Sequence, residues 1–368
     1  MKIEKIKATP IKIPLPKPLS GSTYTVTSRC TVITQIFTDE GAISEVYNGD
    51  NRIAGAEVAR IIEEELQPLV VGESVFASEL IWSRMFERTH AIRQFPLYMQ
   101  AIACVDTAVW DLKGKAANLS VCDLVGGNRR ELPIFATAGY YQEGTTLDHV
   151  REEMAWLKQA GMAGVKFKVG GLTPEEDFKR VEAARDGADN DFFIACDANR
   201  AWSINEAIRF AKLVEPLDIA WFEEPCHWHD DARMMSEVRK ATSIPINAGQ
   251  SEITSAGVRR LLANEAVDIV NFDLSHGGGP TEWLRAAAQC RAVDVKMLHH
   301  EETPLSAHLL AGMSNGLYVD CFPSAERDPI WNGMLIDRAR VDNGMVEIPD
   351  KPGFGIELDW KEVNKYKI

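Results

Sequence analysis

Short apolar segments alternate with longer amphipathic ones over residues 131–322. The short segments have the length of strands, and the longer ones repeat apolar residues at the spacing of a helix face. This alternation is typical of parallel strands joined by crossover helices. The predicted strands are residues 133–137, 164–169, 192–196, 219–222, 244–248, 269–272, 295–298 and 317–319. Eight such units predict a closed α/β barrel.

The residues before this region place strands first and helices afterwards. Alternating apolar residues predict strands over residues 3–13, 30–38 and 41–47, and helical spacing predicts helices over 53–70 and 98–117. A polar segment at 18–28 is predicted to be a loop of the kind that closes over a site.

The chain therefore divides into three predicted parts. Residues 1–130 form an α+β domain, residues 131–325 form the barrel, and residues 326–368 are too short to fold alone. We expect this last segment to pack back on the N-terminal domain.

Charge and cysteine content narrow the function. The formal net charge is −14, which argues against nucleic acid or an anionic membrane surface as a partner, because both require a basic patch. The seven cysteines include no C-x-x-C pair, so neither a zinc site nor a disulfide framework is indicated. No apolar signal segment opens the chain, and we expect a cytoplasmic protein.

Two lysines lie two residues apart on the predicted strand at 164–169. Because side chains alternate along a strand, Lys166 and Lys168 should project into the same space. Each ammonium group is expected to lower the pKa of the other, and a lysine of lowered pKa can act as a general base. The alternative is an edge strand with two solvated lysines.

Polar residues gather where the following strands end. These residues are Asp197 and Asn199, Glu223 and Glu224, Gln250 and Glu252, Asp273, and His299 and His300. In a barrel these strand ends share one rim, the rim on which active sites are found. Neighbouring carboxylates repel unless a cation lies between them, and hard oxygen ligands favour Mg²⁺. Any one of these residues could instead be a helix cap or a packed histidine.

Together these motifs resemble the mandelate racemase subgroup of the enolase superfamily. The resemblance extends over the whole chain and includes residues 108–115. It implies an N-terminal α+β capping domain over a modified TIM barrel, (β/α)7β, completed by the C-terminal segment. It also implies a Mg²⁺ ion, with Mn²⁺ as an alternative, that holds a substrate carboxylate while the proton α to it is removed to give an enediolate. We expect a homo-oligomer with a small carboxylate substrate.

The resemblance also implies residue roles. Lys168 matches the catalytic base and Lys166 the lysine that lowers its pKa. His300, oriented by Asp273, matches the histidine on the opposite face of the substrate, and Asp320 lies where relatives place a glutamate that hydrogen-bonds the enediolate. Asp197 and Glu223 match metal ligands, with Asn199 and Glu224 supporting them. The segment around Tyr24 resembles the lid that selects substrate.

The chain departs from the family pattern at the third metal ligand. Relatives usually carry glutamate where this chain has Gln250, so the ligand charge falls from three negatives to two and weaker binding is expected. Glu252 shares a strand face with Gln250 and is the alternative ligand. His276 replaces a frequent lysine and is interpreted as a rim residue and substrate contact, and His299 has no assigned role beyond a weak substrate contact.

The predicted function is dehydration of an acid sugar to a 2-keto-3-deoxy acid. Lys168 or His300 would remove the α proton, and His300 would assist departure of the β-hydroxide. Racemisation, epimerisation or cycloisomerisation of a related carboxylate is the alternative within the superfamily. A catalytically inactive barrel that binds an organic acid is the alternative of another class.

Overall fold

A ring of parallel strands with helices between them positions every predicted site residue. The computed structural model describes residues 1–49, 53–188 and 191–368. The strands are β1 (Ile3–Ser20), β2 (Thr25–Thr38), β3 (Val46–Asn48), β4 (Glu131–Ala138), β5 (Gly164–Lys168), β6 (Phe193–Asp197), β7 (Ile219–Glu223), β8 (Ile246–Ala248), β9 (Ile269–Val270), β10 (Lys296–Met297), β11 (Val319–Cys321), β12 (Val341–Asp342) and β13 (Met345–Glu347).

Helices precede the ring, connect its strands and follow it. They are α1 (Gly55–Arg60), which continues through a π-helical segment (Ile61–Leu66) into α2 (Gln67–Val70), α3 (Ser78–Glu87), α4 (Phe95–Ala117), α5 (Val121–Val125), α6 (Leu147–Gln159), α7 (Pro174–Gly187), α8 (Ile204–Val214), α9 (Asp231–Ala241), α10 (Ser255–Ala263), α11 (Pro280–Ala292), α12 (Thr303–Gly312), α13 (Pro329–Gly333) and α14 (Trp360–Val363). Short 3-10 segments cover Arg88–Ala91, Glu215–Leu217 and Asn364–Tyr366. Within the described ranges, none of these helices has the length and apolar character needed to cross a membrane.

Strands β4 to β11 close into a barrel. Each strand from β4 to β9 pairs in parallel with the next, and β11 pairs in parallel with β4. Between β10 and β11, Leu317 N donates to Met297 O at 2.9 Å, which completes the ring. All eight strands predicted from the sequence are present, so the predicted barrel is confirmed.

Alternation along the barrel strands separates two environments. On β5, Val165 and Phe167 join the large apolar core beneath the helices. A second, smaller cluster contains Ala195 and Trp221, and each of these lies two residues before a carboxylate at its strand end. Since i and i+2 share a face, Asp197 and Glu223 project to the same side as this cluster.

The N-terminal residues form a separate three-stranded antiparallel sheet, β1–β2–β3, with α1 to α4 beside it. The predicted loop at 18–28 was too long, because β1 continues to Ser20 and β2 begins at Thr25. Leu19 and Ser20 still pair with Val26 and Thr25, so only residues 21–24 form the turn.

Buried contacts join this sheet domain to the barrel. Trp82 Nε1 donates to Gly278 O at 2.8 Å, and the Asp106 carboxylate accepts from the backbone N and the hydroxyl of Thr281, each at 2.8 Å. The N-terminal domain therefore caps the barrel, as predicted.

The C-terminal segment contacts both parts. Strand β13 pairs antiparallel with β4, and Leu358 N donates to Glu45 Oε1 at 2.7 Å. The three-part division of the chain stays a prediction.

Candidate active site

Lys166 and Lys168 are both buried at the end of β5, each with only 2% of its surface exposed. The solvated edge strand is therefore excluded for this pair. Lys168 Nζ donates to Asp197 Oδ2 at 2.6 Å and to Asn199 Oδ1 at 3.1 Å. Lys166 Nζ donates to Glu223 Oε1 and to Asp320 Oδ2, each at 3.1 Å. Carboxylates from three other strand ends thus neutralise the two ammonium groups.

These pairings overturn the predicted pKa of the lysines. Burial lowers the pKa of Lys166, but Asp320 and Glu223 more than offset it, and the pKa lies above its ordinary value. Burial likewise lowers the pKa of Lys168, and Asp197 again reverses the effect. Repulsion between the two ammonium groups is weaker than their attraction to bonded carboxylates, because the carboxylates are in hydrogen-bond contact. In this arrangement both lysines are cations.

The predicted metal ligands at the ends of β6, β7 and β8 all coordinate through oxygen. Asp197 and Glu223 lie opposite each other in the register of β6 and β7. Gln250 Nε2 donates to Glu224 Oε2 at 2.6 Å, which leaves the amide oxygen as its coordinating atom. Hard oxygen donors suit Mg²⁺.

The charge of this donor set is lower than usual for a divalent ion. In the described part of the chain, no three His, Cys, Asp or Glu side chains group together as a metal site. Glu252 does not join the set, because its carboxylate accepts from Arg260 Nη2 at 2.7 Å and packs beside Gly257. Two carboxylates and one amide are therefore what the chain offers.

Glu223 and Asp197 differ in the direction of their pKa shifts. Burial raises the pKa of Glu223 to about 7, although Lys166 offsets part of the effect. For Asp197, burial is outweighed by Lys168 and Lys166, which hold the pKa of that carboxyl below its ordinary value. A cation placed between these carboxylates would favour the ionised form of both.

His300 and Asp273 form a hydrogen-bonded pair across the site. His300 Nδ1 lies 2.9 Å from Asp273 Oδ2, and Asp273 Oδ1 accepts from Ser275 N at 2.7 Å. Burial raises the pKa of Asp273, but His276 and His300 overcome this and bring it to about 2. An ionised Asp273 therefore fixes Nδ1 of His300 as a donor and leaves Nε2 for chemistry.

Both ring nitrogens of His299 lie against backbone groups, and its suggested contact with substrate stays a prediction. Its Nε2 accepts from Leu274 N at 2.9 Å, and its Nδ1 lies 3.2 Å from Glu301 O. Burial lowers the pKa of His299, so a neutral ring joins two backbone segments.

A cavity of about 770 Å³ lies at this rim, and the buried residues Lys166, Lys168, Asp197 and Glu223 are not among those that line it. Its walls include the predicted residues Tyr24, Asn199, Gln250, Asp273, His276 and His300. Tyr24 extends from the β1–β2 turn, and its ring centroid is 5.6 Å from Lys168 Nζ. In the same turn, Ser22 Oγ donates to Ala198 O at 2.7 Å, which attaches the turn to the loop after β6.

Some residues of the site were missed in the sequence. Arg200, Trp228, Glu301 and Arg327 also line the cavity, and Arg200 stacks on Trp228 with its guanidinium carbon 4.2 Å from the ring centroid. Glu301 was detectable, because it follows His299 and His300 in a polar run at a strand end. Arg200 was detectable in the same way, because it follows Asp197 and Asn199 at the end of β6, whereas Arg327 and Trp228 carried no such signal.

Comparisons with known proteins agree with this geometry. Residues 149–363 match the family model described as Enolase C-terminal domain-like, and residues 5–126 match that of the Mandelate racemase / muconate lactonizing enzyme, N-terminal domain. The chain is 28% identical over 341 residues to an arabinonate dehydratase from Saccharolobus solfataricus, which covers 91% of this chain and 90% of that protein. It is 28% identical over 367 residues to a 3,6-anhydro-alpha-L-galactonate cycloisomerase from Streptomyces coelicolor, covering 100% and 99% of the two chains.

A solved structure gives the same result for the fold. A mandelate racemase/muconate lactonizing enzyme from a marine actinobacterium, in complex with magnesium, superposes with a TM-score of 0.93 at 40% identity. The match covers 100% of this chain and 99% of that one. Both domains, the strand-end motifs and the superposition lead to one conclusion: the chain belongs to the mandelate racemase/muconate lactonizing enzyme family of the enolase superfamily.

Proposed function

We propose that this enzyme dehydrates a sugar acid to a 2-keto-3-deoxy acid. The observation that carries the proposal is the placement of a lysine and a carboxylate-bound histidine at one rim. Lys168 contacts Asn199 and lies near Tyr24, two residues of the cavity wall, and His300 in the same wall is paired with Asp273. A volume of about 770 Å³ suits a ligand the size of a sugar acid. The relationship to an arabinonate dehydratase favours the same reaction class.

Asp197, Glu223 and Gln250 would hold Mg²⁺ in this proposal. When bound, the ion would supply positive charge against the negative charge that develops on the substrate carboxylate. Lys168 becomes a base only when its ion pair with Asp197 is given up, because its pKa lies above the ordinary value while the pair persists.

The reaction then proceeds in two proton transfers. Lys168 takes the proton from the carbon α to the carboxylate, and the electron pair of that bond is shared with the carboxylate. His300 gives its Nε2 proton to the β-hydroxyl oxygen, the carbon–oxygen bond breaks, and water leaves. The resulting enol takes a proton at the β carbon and loses the proton of its α-hydroxyl group, which gives the 2-keto acid.

Cycloisomerisation or epimerisation is the second candidate. The same pair of groups could remove a proton and return one, and the chain is equally similar to a cycloisomerase. In that reaction no water leaves, and the α carbon is reprotonated.

A substrate screen in deuterated water separates these functions. Mono- and diacid sugars are incubated with Mg²⁺, and 2-keto acid, α-deuterium and stereochemistry are measured. In a dehydratase, His300→Asn should still exchange the α proton while elimination falls by roughly 10²-fold or more, the effect of a lost general acid. Inversion at the α carbon, with no 2-keto acid from any substrate, would replace dehydration by epimerisation.

A further inference from the structure

Glu301 lies beside the reactive nitrogen of His300 without bonding to it. Glu301 Oε1 is 3.8 Å from His300 Nε2, and the Glu301 side chain lines the cavity. A distance of 3.8 Å is too long for a hydrogen bond and short enough for a strong charge interaction. A proton on Nε2 is therefore stabilised by this carboxylate and is still available to a substrate.

Two arginines from opposite ends of the chain hold Glu301 in place. Arg29 Nη1, on β2 of the capping domain, donates to Oε2 at 2.5 Å, and Arg327 Nη2, after β11, donates to Oε1 at 3.2 Å. Burial raises the pKa of Glu301, but Arg29 and Arg327 hold it well below its ordinary value. The carboxylate is thus ionised inside the protein.

The backbone at this point is also unusual. Glu301 and Glu302 have φ values of 56° and 51°, in the left-handed region that non-glycine residues seldom occupy. Such residues persist only where surrounding contacts fix them, and here the arginine pairs do so.

The charges around His300 come from several elements. Burial opposes the imidazolium, but Asp273 at Nδ1 and Glu301 near Nε2 outweigh it and raise the pKa of His300, although Lys166 also opposes the charge. His276 faces Asp273 from the same loop, and His299 is neutral. The two carboxylates flank opposite sides of the ring, so each stabilises the proton on its own nitrogen.

We propose that Glu301 is a positioning residue that keeps His300 in its protonated form, so that His300 begins each reaction cycle as an acid. This role rests on the dehydration proposed above. In that reaction the Nε2 proton goes to the departing β-hydroxyl group, and the two leave together as water. His300 is left neutral and takes a new proton before the next cycle.

The test is the protonation of His300 measured by NMR. The histidine ring signals of isotope-labelled protein are followed against pH with saturating Mg²⁺. The signals of His300 are assigned as those that are absent in His300→Asn. Glu301→Gln should lower the apparent pKa of His300 by about one, a tenfold change in its protonation equilibrium, because the negative charge near Nε2 is lost while the charges of Arg29 and Arg327 remain. Arg327→Gln, which leaves Glu301 charged, should move the pKa in the opposite direction.

Glu302→Gln is the matched control. Glu302 follows Glu301, accepts from the same Arg29 at 2.9 Å and does not line the cavity. Glu302→Gln should leave the pKa of His300 unchanged. Glu301→Asp, which keeps the charge, replaces Glu301→Gln if the latter does not fold, and should give a smaller shift in the same direction.

The outcomes separate this role from the proposed function. If sugar acids are dehydrated, the alkaline limb of the activity profile should move to lower pH in Glu301→Gln, since His300 loses its proton earlier. If no sugar acid is dehydrated but the NMR shifts occur, the proposed function fails and the role of Glu301 stands. Equal pKa values in wild type, Glu301→Gln and Arg327→Gln would overturn the role.

Discussion

Replacing Gln250 by glutamate should destabilise the metal-free protein and tighten Mg²⁺ binding at the same time. Gln250 Nε2 now donates to the Glu224 carboxylate at 2.6 Å. The substitution would remove this donor and place a second carboxylate beside the first. A lost hydrogen bond to a charged acceptor costs about 2 kcal/mol, and Arg200, which donates to Glu224 at 2.9 Å, limits the added repulsion.

The expected change in Tm follows from the length of the chain. For 368 residues, an unfolding entropy of about 2.1 cal/mol/K per residue turns this loss into a Tm lower by about 3 °C. With Mg²⁺, a carboxylate replaces a neutral dipole against a divalent ion, and we expect about tenfold tighter binding, or about 1.4 kcal/mol. At the same saturating Mg²⁺ concentration, the ion should therefore stabilise the variant by about 1.4 kcal/mol more than it stabilises the wild type.

Calorimetric titration with Mg²⁺ and thermal unfolding with and without the ion measure both effects. Glu252→Gln is the control, because Glu252 contacts Arg260 and should leave Mg²⁺ affinity unchanged. An unchanged Kd in Gln250→Glu, with binding lost in Glu252→Gln, would make Glu252 the ligand and refute this reasoning. Activity could still fall in Gln250→Glu, since the substrate pose depends on the charge of the site.

Other changes test the lysines and carboxylates of the same rim. Because the pKa of Glu223 is raised to about 7, protons compete with Mg²⁺ for this carboxylate below that pH. The Mg²⁺ affinity measured by titration should therefore fall as the pH is lowered from about 8 to 6. An affinity that does not change with pH would exclude Glu223 as a ligand. Lys166→Met leaves Glu223 and Asp320 without their shared cation, so the pKa of Glu223 should rise and this pH dependence should move upward. Lys168→Ala should abolish α-deuterium incorporation while Mg²⁺ still binds, and exchange that persists would assign the base elsewhere.

Much of this protein could be predicted from local sequence patterns. Strand and helix periodicity predicted all eight barrel strands, and α7 and α8 each begin with a capping box between residues three apart, Thr173 with Glu176 and Ser203 with Glu206. The alternation rule placed Lys166 and Lys168 on one side of β5, away from Val165 and Phe167. These features depend on residues that are close in the chain, and backbone geometry connects them directly.

Tertiary structure alone decided the charges and contacts of the site. The sequence suggested that two neighbouring lysines would lower each other's pKa, but Asp197, Glu223 and Asp320 reach them from other strands and raise it. Gln250 and Glu252 are equivalent by alternation, yet the chain turns Glu252 toward Arg260.

The same holds for the histidine side of the cavity. Arg29 meets Glu301 across 272 positions of the chain, and that contact lies in no local pattern. A pKa depends on burial and on every charge within a few ångströms, and folding brings those charges from distant segments. The sequence thus determined which side chains reach the rim, and the fold decided which of them carry a proton there.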